Sequence, residues 1–359
     1  MAQIQLQLQH LDSDGAHLYE PDEQLQLLFG ETKDELLPRM ESIIDERGLP
    51  ADARSEYDSE IRSWMKHTLH SKEYYERATF MGLAIEIVGG DWRSFADVLC
   101  GEEFLYAAQM ILDDIADGQT ERHGRSTINA EIGIEKSVAV AQMLASLGYE
   151  CIRRGSEHAD LETQNAVVEG AHSMMHEIFY AQYLDEAFEE KSLPDSTQEE
   201  YDHFLSHTTP VDVAYCFEGG AQLGRGNENE INYLHRMGEN LGSAIQIRDD
   251  FIDYTETDKA GKNTCLDLKC RKKKIPILLA YKYADRDTRD TLINSWRNNE
   301  LSEREIKNIR HNIFDPIVVE QARKIINSYL EEAIYLLQEI DEENSAKERT
   351  YKIISSLDI

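Results

Sequence analysis

Apolar side chains recur along most of this chain at the three-to-four-residue spacing of a helix buried on one face. From Ser55 onward, Ile61, Trp64, Met65 and Leu69 fall on one such stripe. A second run, from about Tyr74 to Val88, stops at Gly89-Gly90, a pair suited to a helix C-cap. A longer run follows Asp91 and carries Phe104, Leu105, Ala108, Ile111 and Leu112. The same spacing predicts helices at roughly 128–153, 159–189, 197–222, 226–255, 272–285 and 314–342. Strand-like alternation is confined to Ile4-Gln5-Leu6-Gln7-Leu8, which is short and terminal. No Pro/Ser-rich linker divides the chain. The pattern therefore predicts an all-α protein: a single helical domain over 56–359, preceded by an acidic, less periodic extension over 1–55.

Composition narrows the classes of function. The 359 residues are 41% hydrophobic, enough for a large core, so a wholly disordered acidic chain is excluded. With 37 Lys+Arg against 69 Asp+Glu the formal charge is −32, which repels nucleic-acid phosphates and argues against a nucleic-acid partner. So large an excess exceeds what one acidic site holds, and it suits a cytoplasm rich in salt, where screening tolerates dense surface carboxylates. Five scattered cysteines fit a reducing compartment better than a disulfide framework. No apolar run approaches the roughly 18–20 residues that span a bilayer, and Met1 to Leu11 lacks the pattern of a signal peptide. The expected protein is cytoplasmic and not membrane-spanning.

Two short acidic segments echo each other, Asp113-Asp114-Ile115-Ala116-Asp117 and Asp249-Asp250-Phe251-Ile252-Asp253, each closing an apolar helical stretch. Residues four apart share a helix face, so Asp113 stacks with Asp117, and Asp249 with Asp253. Three like charges within little more than one turn repel unless a cation sits among them. Carboxylate oxygens on rigid helices suit Mg²⁺, which takes substrate phosphates and water as its other ligands. Cationic residues follow each segment: Arg122-His123-Gly124 after the first, Gly261-Lys262 and Arg271-Lys272 after the second.

With these motifs the chain resembles the trans-isoprenyl diphosphate synthases, or polyprenyl synthetases, over roughly residues 60–285. The likeness is most specific between Phe217 and Ala280. It runs through Glu218-Gly219-Gly220-Ala221-Gln222-Leu223-Gly224, Gln246 and Arg248 before the second acidic segment, then Gly261-Lys262, Asp267-Leu268, Lys272 and Ile275-Pro276. Gln182 and Asp185 match the family's Gln-x-x-Asp. The resemblance implies a helical bundle around a deep cavity and a homodimer. It also implies Mg²⁺, about three per site, held by Asp113, Asp114, Asp117, Asp249, Asp250 and Asp253. The substrate implied is an allylic prenyl diphosphate, held by Arg122, Lys262 and Lys272, with Gln246, Gln182 and Thr208 shaping that end.

Departures from the family pattern fall on one sub-site, the one that grips isopentenyl diphosphate. Where the family has Gly-Gly-Lys-Arg-x-Arg-Pro, this chain aligns Tyr74 with the Lys, and only Arg77 survives. Tyr106 stands where the family has His or Gln, His123 where it has a second Arg, and His207-Thr208 where it has Lys-Thr. Each lost charge-assisted phosphate contact costs roughly 1.5–3 kcal/mol. Tyr74, Tyr75 and Tyr106 are expected to line the cavity and stabilise a carbocation through their ring faces. The expectation is a class I terpene synthase that ionises an allylic diphosphate with no isopentenyl acceptor. The alternative is a chain-elongating geranylgeranyl/farnesyl-type synthase, with Lys72 supplying the missing cation. Transfer to another acceptor, or a non-catalytic regulatory subunit, stand behind these. Ala108, small and five residues before Asp113, leaves room for a C15 or C20 chain. His172 and His176, four apart without an evident third ligand, read as a packed or polar helix face rather than zinc ligands.

Overall fold

The computed structural model describes residues 23–53, 55–72, 74–122, 125–252, 254, 272–297 and 301–357. Helices dominate them, as the periodicity predicts. In chain order they are α1 (Glu23–Arg47), α2 (Asp58–Ser71), α3 (Glu76–Ile87), α4 (Ala96–Ala116), α5 (Ile128–Ile132), α6 (Ile134–Gly155), α7 (Leu161–Glu189), α8 (Gln198–Leu205), α9 (Thr209–Leu223) and α10 (Glu228–Ile252). Beyond the second acidic segment come α11 (Ile275–Tyr283), α12 (Arg286–Arg297), α13 (Glu303–Ile313), α14 (Pro316–Gln338) and α15 (Ser345–Ser355). A two-residue hairpin, β1 (Glu121–Arg122) with β2 (Arg125–Ser126), follows α4. Asp253, Lys262 and His123 lie outside the described residues, as does the Ile4–Leu8 segment.

Local chemistry sets the helix ends. Gly89, at φ 87°, ends α3 where the glycine pair predicts a stop. The single helix expected over 197–222 is two. α8 opens with a capping box between Thr197 and Glu200, then Ser206 and Thr208 turn their hydroxyls back onto the carbonyls of His203 and Leu205. Pro210 restarts the chain as α9, its missing N–H harmless in a first turn. The break carries Thr208 and Thr209 to the rim of the central cleft.

The sequence pattern reads 1–55 as an accessory extension, but its described helix belongs to the bundle. Leu36, Met40 and Ile44 of α1 are fully buried in the same core as α3 and α4. That core includes Phe104, Leu105, Ala108 and Ile111 of α4, as the apolar run predicts. The glycines of the Gly219-Gly220 stretch serve packing. A Cβ on Gly220 would come within 2.5 Å of the Met81 carbonyl oxygen, and one on Gly242 within 2.6 Å of Pro210 Cα. Glycine there lets α9 lie close to both α3 and α10, and α10 is the helix that carries the second aspartate cluster. No helix among the described residues is long and apolar enough to cross a membrane.

Candidate active site

Helices α4 and α10 end at a common cleft of about 360 Å³, bordered by Asp113 and Asp117 from one side and Asp249 and Asp250 from the other. In each cluster one carboxylate is open and its neighbour is braced. The side chain of Asp113 is 55% exposed, and that of Asp249 is 52% exposed. Asp114 is buried and accepts from Arg122 Nε at 2.8 Å; the same guanidinium lies 3.3 Å from Asp113. The hairpin after α4 places Arg122 there. Against its burial, Asp114 and Asp113 hold the Arg122 pKa above its ordinary value.

Asp250 is braced more completely. The Tyr201 hydroxyl of α8 donates to its Oδ2 at 2.6 Å, and Gln246 Nε2, one turn earlier on α10, donates to Oδ1 at 2.9 Å. Burial and the Asp250 charge raise the Tyr201 pKa well above a free phenol, so the donor keeps its proton. Thr209 in turn donates to the Gln246 carbonyl oxygen. Thr208 borders the cleft as expected, but the hydroxyl that reaches Gln246 is its neighbour's. His207, aligned with a family lysine, turns to Glu177 at 3.0 Å and is not among the cleft's lining residues.

On the third side, just before α11, Lys272 pairs with Asp117 and lies 3.2 Å from Asp185, and Lys274 lies 3.3 Å from Asp185. Burial lifts the Asp117 carboxyl and Asp113 repels it further, with Lys272 opposing both. Burial acts on Asp185 the same way, yet Lys274 and Lys272 outweigh it and hold its pKa below the usual range. Gln182, one turn before Asp185 on α7, borders the cleft too. The like-charge cost visible in the sequence is thus offset here by Arg122 and Lys272.

The opposite end corrects the sequence reading in two places. The Tyr74 ring sits 6.0 Å from that of Phe29 and is absent from the cleft lining. Tyr75 is fully buried and, like Tyr74, does not border the cleft. The Lys72 ammonium lies 4.0 Å from the centre of the Tyr106 ring and the Arg77 guanidinium 4.5 Å from it, and of these two cations Arg77 is the one that borders the cleft. Tyr106 borders the cleft as expected, and burial pushes its pKa up to about 12. Ala108 is buried and does not border the cleft; Gln109 and Met110 do. Four residues before Asp113, Gln109 shares its face, whereas a residue five before is turned well away. Gln109 donates to Met175 Sδ at 2.9 Å. His172 stacks on Tyr149 at 4.2 Å but is exposed, as is His176, so they lie on a polar helix face.

Tyr201 and Thr209 are the residues that sequence reasoning leaves out of the site; Lys72 enters it only as the cation of the elongating alternative. Tyr201 and Thr209 sit in no recognisable motif, and only the packing of α8 and α9 against α10 brings them to Asp250 and Gln246.

A bundle of this shape with two facing aspartate clusters defines a class of protein. A sequence model of the polyprenyl synthetase family matches residues 58–313, and the chain belongs to that family. It is an enzyme of the isoprenoid synthase class. Among curated relatives it is 29% identical over 213 residues to the short chain isoprenyl diphosphate synthase of Methanothermobacter thermautotrophicus, covering 59% of this chain and 64% of that one. It is 23% identical over 275 residues to the geranylgeranyl diphosphate synthase of Saccharolobus solfataricus, covering 76% and 82%. Its fold is similar to that of a Caulobacter crescentus polyprenyl synthase complexed with calcium and isoprenyl diphosphate (TM-score 0.82, 20% identity, 95% of this chain and 98% of that one). It is similar also to the Pyrococcus horikoshii geranylgeranyl pyrophosphate synthetase (TM-score 0.80, 22% identity, 93% and 99%). The relatives' names side with the chain-elongating alternative and not with the terpene synthase expected from the altered sub-site.

Proposed function

We propose that the protein is a metal-dependent trans-prenyl diphosphate synthase that extends an allylic diphosphate with isopentenyl diphosphate. The observation that carries this is the pair of open carboxylates, Asp113 and Asp249, facing one cleft from α4 and α10, with Asp114 and Asp250 braced behind them. The donor set is all carboxylate oxygen, which suits a hard divalent ion, and Mg²⁺ is the ion proposed. Asp113, Asp114, Asp117, Asp249 and Asp250 would hold it, directly or through water, with Asp253 from outside the described residues, and it would supply stabilisation of negative charge on a departing diphosphate. Arg122 and Lys272 border the same cleft and would donate hydrogen bonds to the diphosphate, a role proposed also for Lys262, outside the described residues. The lower cleft, bordered by Phe80, Gln109, Met110 and Phe179, is the proposed path of the prenyl chain, of C15 or C20 length. A homodimer in a salt-rich cytoplasm completes the proposal, supported by the family resemblance and the charge of −32.

A second reading, ionisation without an isopentenyl acceptor, is favoured by Tyr106, which borders the cleft where the family has His or Gln. Incubation with Mg²⁺ in high KCl and C10, C15 or C20 allylic diphosphate, each with and without isopentenyl diphosphate, separates the two. Longer prenyl diphosphates formed only with isopentenyl diphosphate support elongation. Hydrocarbon or alcohol from the allylic substrate alone overturns it.

A further inference from the structure

Behind Arg77 lies a buried polar chain that no motif includes. Asp212, on α9 and 2% exposed, pairs through Oδ2 with Arg77 Nε. Its other oxygen, Oδ1, and Glu102 Oε2 of α4 are both buried and take no hydrogen bond from the described residues. The carboxyl oxygens of Glu102 and Asp212 and the Cys216 Sγ converge within 4.8 Å of one another. Burying two carboxyl groups this close together disfavours charge on both. Burial and the Asp212 charge push the Glu102 carboxyl well above its usual range, which puts the proton on Glu102. Glu102 also accepts from Cys216 Sγ at 3.7 Å.

The consequence is electrostatic. Both cations at this end of the cleft already have buried acidic partners, Arg77 with Asp212 and Lys72 with Glu103. Glu76 adds a third, half-exposed carboxylate 3.6 Å from Arg77. At the opposite end, Arg122 and Lys272 pair with carboxylates that are themselves proposed metal ligands, so those pairs have a competitor. Asp212 and Glu103 are not among the proposed metal ligands; both are buried, and Asp212 borders the cleft beside Arg77. We propose that Asp212, held by Glu102, is a specificity-determining residue of the acceptor half of the cleft. By cancelling the Arg77 charge it makes that half a weak receptor for a second diphosphate. This inference rests on the elongation reading above.

Steady-state kinetics on the full chain test it. The wild-type KM for isopentenyl diphosphate should exceed the allylic KM by about tenfold or more, the size of one uncancelled charge-assisted contact. Comparable KM values overturn the proposal with no variant needed. Asp212→Asn should lower the isopentenyl KM by a similar factor, with Asp212→Ser as the second variant if Asn impairs folding. An unchanged or raised KM, or an equal gain on the allylic substrate, overturns it. Calorimetric binding of isopentenyl diphosphate in EDTA separates this failure from that of the elongation reading. Tighter binding to Asp212→Asn upholds the role of Asp212 even in an enzyme that forms no longer chain. Equal binding removes that role even in one that does.

Discussion

Tyr201→Phe isolates a single hydrogen bond in the second aspartate cluster. The hydroxyl donates to Asp250 Oδ2 at 2.6 Å, with Tyr201 1% and Asp250 3% exposed. Phenylalanine keeps the ring's packing against Phe204, whose centroid lies 6.3 Å away, and removes only the donor. Gln246 still donates to Oδ1, while Oδ2 loses the charge-assisted bond that Tyr201 supplies. Such a bond contributes about 1.5–3 kcal/mol, so the unfolding free energy from urea titration should fall by that amount. Groups that orient a metal-binding carboxylate are typically worth about 10–100-fold in metal affinity or activity. The Mg²⁺ concentration for half-maximal diphosphate release should therefore rise by about tenfold or more. The assay is colorimetric diphosphate release across a Mg²⁺ titration, paired with urea unfolding followed by circular dichroism. A variant matching wild type in both would refute the view that Tyr201 braces Asp250.

Three further outcomes follow from the same geometry. Asp113→Ala should cut diphosphate release by about two orders of magnitude or more while leaving the unfolding midpoint near wild type, because the side chain is 55% exposed; unchanged turnover sinks its assignment to the metal. Asp185 has a folded pKa below its unfolded value, so it contributes stability above about pH 3.9 that is lost as pH falls through the folded pKa. Asp185→Asn should therefore lower the urea midpoint at pH 7 and flatten its decline below pH 4, and parallel wild-type and variant curves would contradict this. Gly220→Ala should destabilise by about 1–3 kcal/mol, since its Cβ meets the Met81 backbone at 2.5 Å, and a stabilised variant would show that α3 and α9 part freely.

The sequence by itself determined the helical class, most helix positions, both aspartate clusters, and Arg122 and Lys272 as their cations. These are local signals: apolar spacing fixes which face is buried, and i,i+4 aspartates declare a charge problem that something must offset. Alignment with a family pattern misassigned Tyr74, because an irregular stretch between α2 and α3 lets Lys72 swing to Tyr106 while Tyr74 packs near Phe29. Ala108 was misread for a rotational reason, since one residue along a helix turns a side chain by about 100°. Only the tertiary structure decided what stands behind the clusters. Tyr201 and Asp250, Lys272 and Asp117, and Arg77 and Asp212 lie 49, 155 and 135 residues apart. No pattern along the chain encodes such pairs, because each depends on how helices stack in three dimensions. The same stacking buries Glu102 beside Asp212, where burial and the Asp212 charge push the Glu102 carboxyl well above its usual range.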